Sequence, residues 1–427
     1  MLVCLSTDAR LQMNSPFQHY LNSNYAPSEH MRYQIAQIVA EQDKRISQMD
    51  EEIHQFLRDR RDLYASREAH RQLLSPSRRM PPEIWGEIYV QCLSADKPAK
   101  INAQEAPMLM AQVCSHWRSI VLSTPRLWNS VSIRGNGMVL ASQSALISTW
   151  LSRSGNLPLS IEITARVLPD SQQEQEFVDA LVPFVPQIKC LTICAPQSMI
   201  AKLIGSQDVS RLTNLEIDVP KALDTEPVNV SISHSATNLH NLSVAYVAHF
   251  WLDRARLCFP WAQLTEFKAA YISPDQCFDI LRQCHKLSRL CLTEVEGPYN
   301  GVPRLPILMP NIVSLELDLK HGIDFFWNYL TLPRLRECTL GFWFEDSWPK
   351  SGFFSLVDRS SCPLRTLRVS RWISEEDLVE CVERMPTLRN VTWGFENNTR
   401  TPLQVSRLPL QVSRMLQQRA TDATNSD

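Results

Sequence analysis

Glycine is scarce in this chain, with 11 residues in 427 against 27 prolines. That balance works against folds that cradle phosphates in glycine-rich turns. The nearest approach, Gly135-Asn136-Gly137, runs on into Met138, Val139 and Leu140, so the third glycine of a dinucleotide loop is missing. No Gly-x-x-x-x-Gly-Lys string occurs, no two histidines have His-Glu-x-x-His spacing, and no Cys-x-x-Cys pair exists among the 12 cysteines. Cys190 and Cys194 lie four apart in a strand-like run without further ligands beside them. The sequence therefore offers no catalytic, cofactor-binding or metal-binding residues, and the expectation is a protein that is not an enzyme. A formal net charge of −2 gives no overall attraction to nucleic acid or to anionic membrane. No window approaches 18 consecutive apolar residues, which argues against a membrane span. The opening Met1-Leu2-Val3-Cys4-Leu5 is too short for a signal-peptide core. Scattered cysteines inside apolar runs read as buried free thiols, and a cytoplasmic or nuclear location is expected.

What is present falls into blocks. Residues 1–30 carry Ser, Asn, Pro and Gln without a sustained period and read as disordered. Residues 31–75 read as one helix, since no glycine or proline occurs between Pro27 and Pro76. Ile35, Val39, Gln42, Ile46, Met49, Ile53, Phe56, Arg60 and Leu63 recur at alternating steps of four and three. Gln42 and Arg60 interrupt that seam. Two readings stay open: an amphipathic helix folded back on its own domain, or self-association through residues 31–72. Arg58, Arg60, Arg61, Arg67 and Arg71 are interleaved with Asp59, Asp62 and Glu68, which suits a solvated helix face better than a nucleic-acid patch.

Residues 76–133 form a different pattern. Pro81 and Pro82 stop the upstream helix and preset the next one. Ile84, Trp85, Ile88, Tyr89, Cys92 and Leu93 then make one broad apolar stripe. A polar loop from Ser94 to Ala106 leads to Pro107–Cys114, Trp117–Leu122 and Pro125-Arg126-Leu127-Trp128. Three short helices in so few residues are small for independent stability, so burial against something else is natural.

The order Pro-Pro-Glu-Ile, Val-Cys-x-x-Trp-Arg, Pro-x-Leu-Trp resembles an F-box, the segment by which substrate receptors attach to the Skp adaptor of cullin-type ubiquitin ligases. Met80 stands where that family usually has leucine, and the Ser94–Ala106 loop is longer than in compact members. The resemblance implies that Pro81, Pro82, Ile84, Ile88, Val113 and Trp117 meet the adaptor. Leu127 and Trp128 are expected to knit this module to the domain that follows.

From residue 134 to 400 the chain reads as an irregular leucine-rich-repeat-like α/β solenoid. The pattern apolar-x-x-apolar-x-apolar occurs nine times, from Ile188-Leu191-Ile193 to Leu388-Val391-Trp393, at steps of 23 to 29 residues. Each copy predicts a short strand whose alternate residues face the core. Intervening residues then form columns on the open face. One column holds Thr192, Glu216, Ser243, Lys268, Cys291, Glu316, Thr339, Arg368 and Thr392. Its charge is mixed, which suits a protein ligand more than a polyanion. Glu216, Lys268, Glu316 and Arg368 are thus candidate target contacts. Trp343 and Trp348, in the aromatic knot Phe342–Trp348, are candidate surface anchors, with core filling as the plainer alternative. The asparagine common in regular repeats is missing, and residues 401–427 read as a polar tail.

The expected function is a substrate receptor that docks a Skp adaptor through the module and a target protein through the solenoid. The alternative is a repeat scaffold whose F-box-like hairpin only caps the stack. Ile84, Ile88 and Trp117 discriminate the two: partly exposed without a partner in the receptor reading, buried against the first repeat in the cap reading.

Overall fold

The computed structural model describes residues 15–21, 23–95, 97–135, 137–165, 171–205, 207–219, 230–232, 235–245, 257–295, 306–319, 324–342, 348–369, 373–393 and 409–424. Two compact units result, Met1–Pro81 and Pro82–Asp427.

The first unit is dominated by helix α1 (Glu29–Leu73), 45 residues long with no buried residue. Residues 15–21 do not run on extended. They form turns, and Tyr20 stacks on Tyr25 with ring centroids 4.4 Å apart. Residues 1–14 of the expected disordered segment lie outside the described residues. Only the start of the seam is partly covered within this unit, where Ile35 and Gln42 are half-buried beside residues 15–27; Val39, Ile46, Met49, Ile53, Phe56 and Leu63 are all exposed.

The second unit is a leucine-rich-repeat-like α/β solenoid built on one parallel sheet of 11 strands, added in chain order. They are β1 (Ser130–Gly135), β2 (Leu159–Ala165), β3 (Ile188–Cys194), β4 (Asn214–Asp218), β5 (Asn241–Ala245), β6 (Glu266–Ala270), β7 (Arg289–Val295), β8 (Ser314–Leu319), β9 (Glu337–Phe342), β10 (Thr366–Val369) and β11 (Asn390–Trp393). The apolar pair lies in the core from Leu191 and Ile193 to Leu367 and Val369, and in the ninth copy Val391 is buried while Trp393 is half-buried. Two weak positions are accommodated: Ala269 and Cys338 are buried as well, and beside Ala269 Phe267 takes Trp261 edge-on at 5.6 Å.

The sheet begins earlier than the repeats. Val131 and Ile133, assigned from sequence to the helical module, are buried strand residues paired with Ile161 and Ile163. Helices on the return path complete the repeats: α4 (Gly137–Ser152), α5 (Ser171–Leu181), α6 (Gln197–Ile204), α7 (Pro274–Leu281), α8 (Asp324–Tyr329), α9 (Lys350–Ser360) and α10 (Glu375–Arg384), these labels following α2 (Pro82–Gln91) and α3 (Ser115–Leu122) of the module. Buried Glu174 of α5 binds Lys202 (2.8 Å) and Ser198 (3.4 Å) of α6.

Amides do stitch successive repeats, but at the turn before the strand. Asn238 donates to Ser210 O (2.7 Å), Gln263 to Ala236 O (2.7 Å) and Asn311 to His285 O (3.0 Å). The scarcity of glycine has a counterpart in the backbone. Tyr271, Glu294 and Ser361 hold φ of 60°, 52° and 46°, a region that L residues occupy at some cost.

The end of the chain is not only a polar tail. Residues 401–408 lie outside the described residues, but α11 (Leu410–Thr424) buries Val412 and packs Met415 and Leu416 on the core. Its Arg419 donates to Met385 O (2.9 Å), Leu388 O (3.4 Å) and Val382 O (2.5 Å), satisfying carbonyls at the end of α10.

Candidate functional site

The helical module is assembled from two helices that pack on each other. Pro82 opens α2 at a position where its missing N–H costs nothing. Gly86 is buried against Thr124: a Cβ there would lie 3.1 Å from Thr124 Oγ1. On α3 the backbone of Trp117 donates to the cap residue Cys114 (3.5 Å), and Arg118 donates to Ala111 O (2.8 Å). The seam between the helices is aromatic. Trp85 lies 5.1 Å from Trp117 and 5.5 Å from Tyr89, and Tyr89 lies 5.2 Å from Trp117. Tyr89 is buried, and its hydroxyl has no hydrogen-bond partner among the described residues. Burial, with smaller contributions from Cys114 and Cys92, pushes its pKa up to about 12.

The module joins the solenoid through its inner side. Trp128 is buried, donates to Val121 O (2.9 Å) and meets Trp150 of α4 at 4.8 Å. The long loop is not idle: Ser132 of β1 donates to Ala99 O (2.7 Å), and Lys100 bridges to Ser132. The first edge of the sheet is thereby covered.

The outer side is apolar and open. Ile84 is 50% exposed, Ile88 40% and Val113 59%. Pro81 and Pro82 are exposed beside them in sequence. Trp117 is half-buried, held in the aromatic seam, so it supports the face more than it forms it. Leu109 and Leu122 are exposed too and were not singled out from sequence, where they read as ordinary members of apolar segments.

The second candidate surface is the open face of the sheet. Strand register lines up Glu162, Thr192, Glu216, Ser243, Lys268, Cys291, Glu316, Thr339, Arg368 and Thr392 in one row, the column expected from sequence extended by one strand. Glu216, Lys268, Glu316 and Arg368 are all exposed. A shallow groove of about 270 Å³ over β3 to β6 brings Glu216 together with Glu266 and Lys268. Lys268 Nζ sits 3.2 Å from Glu266 Oε1, and that hydrogen bond raises the Lys268 pKa against a partial desolvation. Thr192 Oγ1 donates to Glu216 Oε2 at 3.2 Å. Burial first, then the charge of Glu316, pushes the Cys291 thiol up to about 12. Arg368 stands two strands from Glu316, outside this group.

The aromatic knot does not supply a surface anchor at Trp348. That residue is only 8% exposed and packs against Phe353 at 5.1 Å, because it precedes α9 and its ring closes over the helix. Trp343 lies outside the described residues.

No protein-family model matches the sequence, and no curated protein matches it. Among solved structures, the chain is similar to one titled as the Rad7 and Elc1 complex in yeast, at 16% identity and a TM-score of 0.36, over 92% of this chain and 91% of that one. It is also similar to the leucine-rich repeat-containing protein LegL7 from Legionella pneumophila, at 10% identity and a TM-score of 0.32, over 79% of this chain and 94% of that one.

Proposed function

We propose that this chain is the substrate receptor of a cullin-type ubiquitin ligase. Its F-box-like module docks a Skp adaptor through Pro81, Pro82, Ile84, Ile88 and Val113, with Trp117 bracing that face. The open face of the sheet holds a target protein, with Glu216, Lys268, Glu316 and Arg368 as its charged contacts. Ubiquitin transfer is then a matter of proximity, carried out by other subunits on lysines that the receptor brings within reach.

One observation carries the reading. Ile84, Ile88 and Val113 stay 40–59% exposed, with Leu109 and Leu122 of the same module, whereas the other exposed large apolar residues among the described residues of the second unit, Leu146, Leu308 and Leu410, are scattered. A surface of that kind is what a partner covers. The scaffold alternative, in which the module only caps the stack, is favoured by Ala99 and Lys100 on β1 and by Trp128 on Trp150. It accounts for the inner side and leaves the outer apolar face without a purpose.

The test is binding of purified Skp adaptor to the full chain and to an Ile84→Asp/Ile88→Asp variant. Both side chains face solvent in the chain alone, so the variant keeps its fold. Micromolar binding by wild type, weakened at least about 100-fold in the variant, is expected for two central apolar contacts replaced by buried charges. A folded wild type that binds no adaptor ends the receptor reading and leaves the cap.

A further inference from the structure

Helix α1 presents a heptad seam whose apolar positions are open to solvent from Val39 to Leu63, with Gln42 half-buried among them. Phe56 and Leu63 are 71% and 70% exposed, and Val39, Ile46, Met49 and Ile53 are open along the same line. A 45-residue helix without a fully buried residue gains little from packing, which is where most helical stability in proteins comes from. The seam also carries Gln42 and Arg60, and extended by the same alternation it takes in Arg32 and Arg67. These polar positions decide which partner fits.

A second copy running parallel and in register would set Arg32, Arg60 and Arg67 each against itself, three like-charge layers in one interface. An antiparallel copy centred on Glu51, the midpoint of Glu29–Leu73, sets the open stretch from Val39 to Leu63 of each helix against that of the other. Val39 then faces Leu63 of the second copy, Ile46 faces Phe56, and Met49 faces Ile53. The two interruptions meet each other, Gln42 against Arg60, so they share layers and leave the apolar layers unbroken. Arg67 falls opposite Ile35 and Arg32 opposite His70, which separates the arginines.

The start of the unit adds a receptacle. Phe17, Tyr20 and Tyr25 line a groove of about 400 Å³ together with Ile35, Ile38, Val39 and Gln42, so the Gln42 layer sits at its rim. In the antiparallel pairing this groove lies opposite the turn of the second copy that carries Leu63, the most exposed leucine of the seam. Arg60 is stacked over Tyr64, with its guanidinium 5.3 Å from the ring, which holds the charge at the side of the seam and leaves its stem for the Gln42 layer.

We infer that two copies of this chain associate through an antiparallel pairing of their Glu29–Leu73 helices, centred on Glu51, with Gln42 of each facing Arg60 of the other. The inference stands apart from the receptor reading, and a monomer that still binds a Skp adaptor overturns it alone.

Sedimentation equilibrium of the full chain tests it, with three proteins compared. The wild type is expected to be dimeric. Phe56→Asp is expected to be monomeric, and since Phe56 faces solvent within one copy, the change costs the fold nothing. Gln42→Glu distinguishes the orientation. In the antiparallel pairing each introduced carboxylate meets an Arg60, and two weak added ion pairs tighten the dimer about fivefold. In a parallel pairing the two introduced carboxylates meet each other and the dimer weakens. A monomeric wild type at about 100 μM, a dimer indifferent to Phe56→Asp, or a Gln42→Glu dimer weaker than wild type each overturns the proposal.

Discussion

A methyl group at Gly352 would lie 2.6 Å from Cδ1 and 2.9 Å from Cγ of Trp327, closer than packed atoms come. Trp327 is itself buried and edge-on to Phe353 at 5.9 Å, so it has little room to retreat. Gly352→Ala is therefore expected to cost about 1–3 kcal/mol through overpacking, read as a lower urea midpoint at unchanged slope. A midpoint equal to wild type would mean that α8 and α9 part without cost. The same change at Gly86 meets only Thr124 Oγ1 at 3.1 Å and is the milder of the two. Single residues of this sort are the least legible part of the sequence. Nothing local distinguishes Gly352 from a flexible glycine. Arg359 reads as one more surface cation, yet it donates to Leu330 O (2.6 Å) and to Trp327 O, closing carbonyls at the end of α8. Trp348 has the composition of a surface anchor and the surroundings of a core residue, and only the return of α9 over it separates the two.

At the scale of elements, the sequence is most telling where local chemistry and tertiary need coincide. Ser273 and Ser374 announce helix starts, and both accept the expected backbone N–H, from Gln276 (3.3 Å) and Asp377 (3.0 Å). Strands β3 to β11 announce themselves because two core positions per repeat must be apolar. Strand β1 does not, since Val131 and Ile133 come within five residues of Trp128 and read as a continuation of the module's own apolar run. Helix α11 hides in polar composition, for it buries little beyond Val412. The junction of α9 and α10 also lies beyond local reading. Lys350 reaches Asp377 at 2.8 Å and Glu380 at 2.6 Å, and these bonds raise the Lys350 pKa. Burial works against the charge on Asp377, yet the hydrogen bonds from Lys350 and Ser374, with the lysine's charge, hold its pKa below the usual 3.8. A carboxyl depressed on folding stabilises fully above its unfolded value and loses that contribution as pH falls through the folded one. Asp377→Asn should accordingly lower stability at neutral pH, and its deficit against wild type should shrink on acidification below pH 3.8. Urea midpoints at pH 7 and about pH 3 measure this; a deficit that is constant between them would sink the assignment.

For the second unit as a whole, the two ends of the stack are closed by different means, and that difference has consequences. At the start, Ala99, Lys100 and Trp128 tie the helical module to the first strands. At the finish, α11 lies on α10 and Arg419 bonds the carbonyls of Val382, Met385 and Leu388, at and just beyond the end of α10. In a solenoid each repeat leans chiefly on its neighbours, so stability is close to a sum of local terms. Deleting residues 409–427 should then loosen β10 and β11 by exposing the flank of Val382, Met385 and Leu388, and the effect should fade toward β3. Amide hydrogen exchange resolves this, with protection lost in the last two strands and retained in β2 to β4. The same truncated chain should bind a Skp adaptor as the intact one does, because the apolar face of Ile84, Ile88 and Val113 sits at the other end of the stack. Uniform loss of protection from β2 to β11 would instead make the solenoid one cooperative block, in which the C-terminal helix sets the stability of the docking module as well.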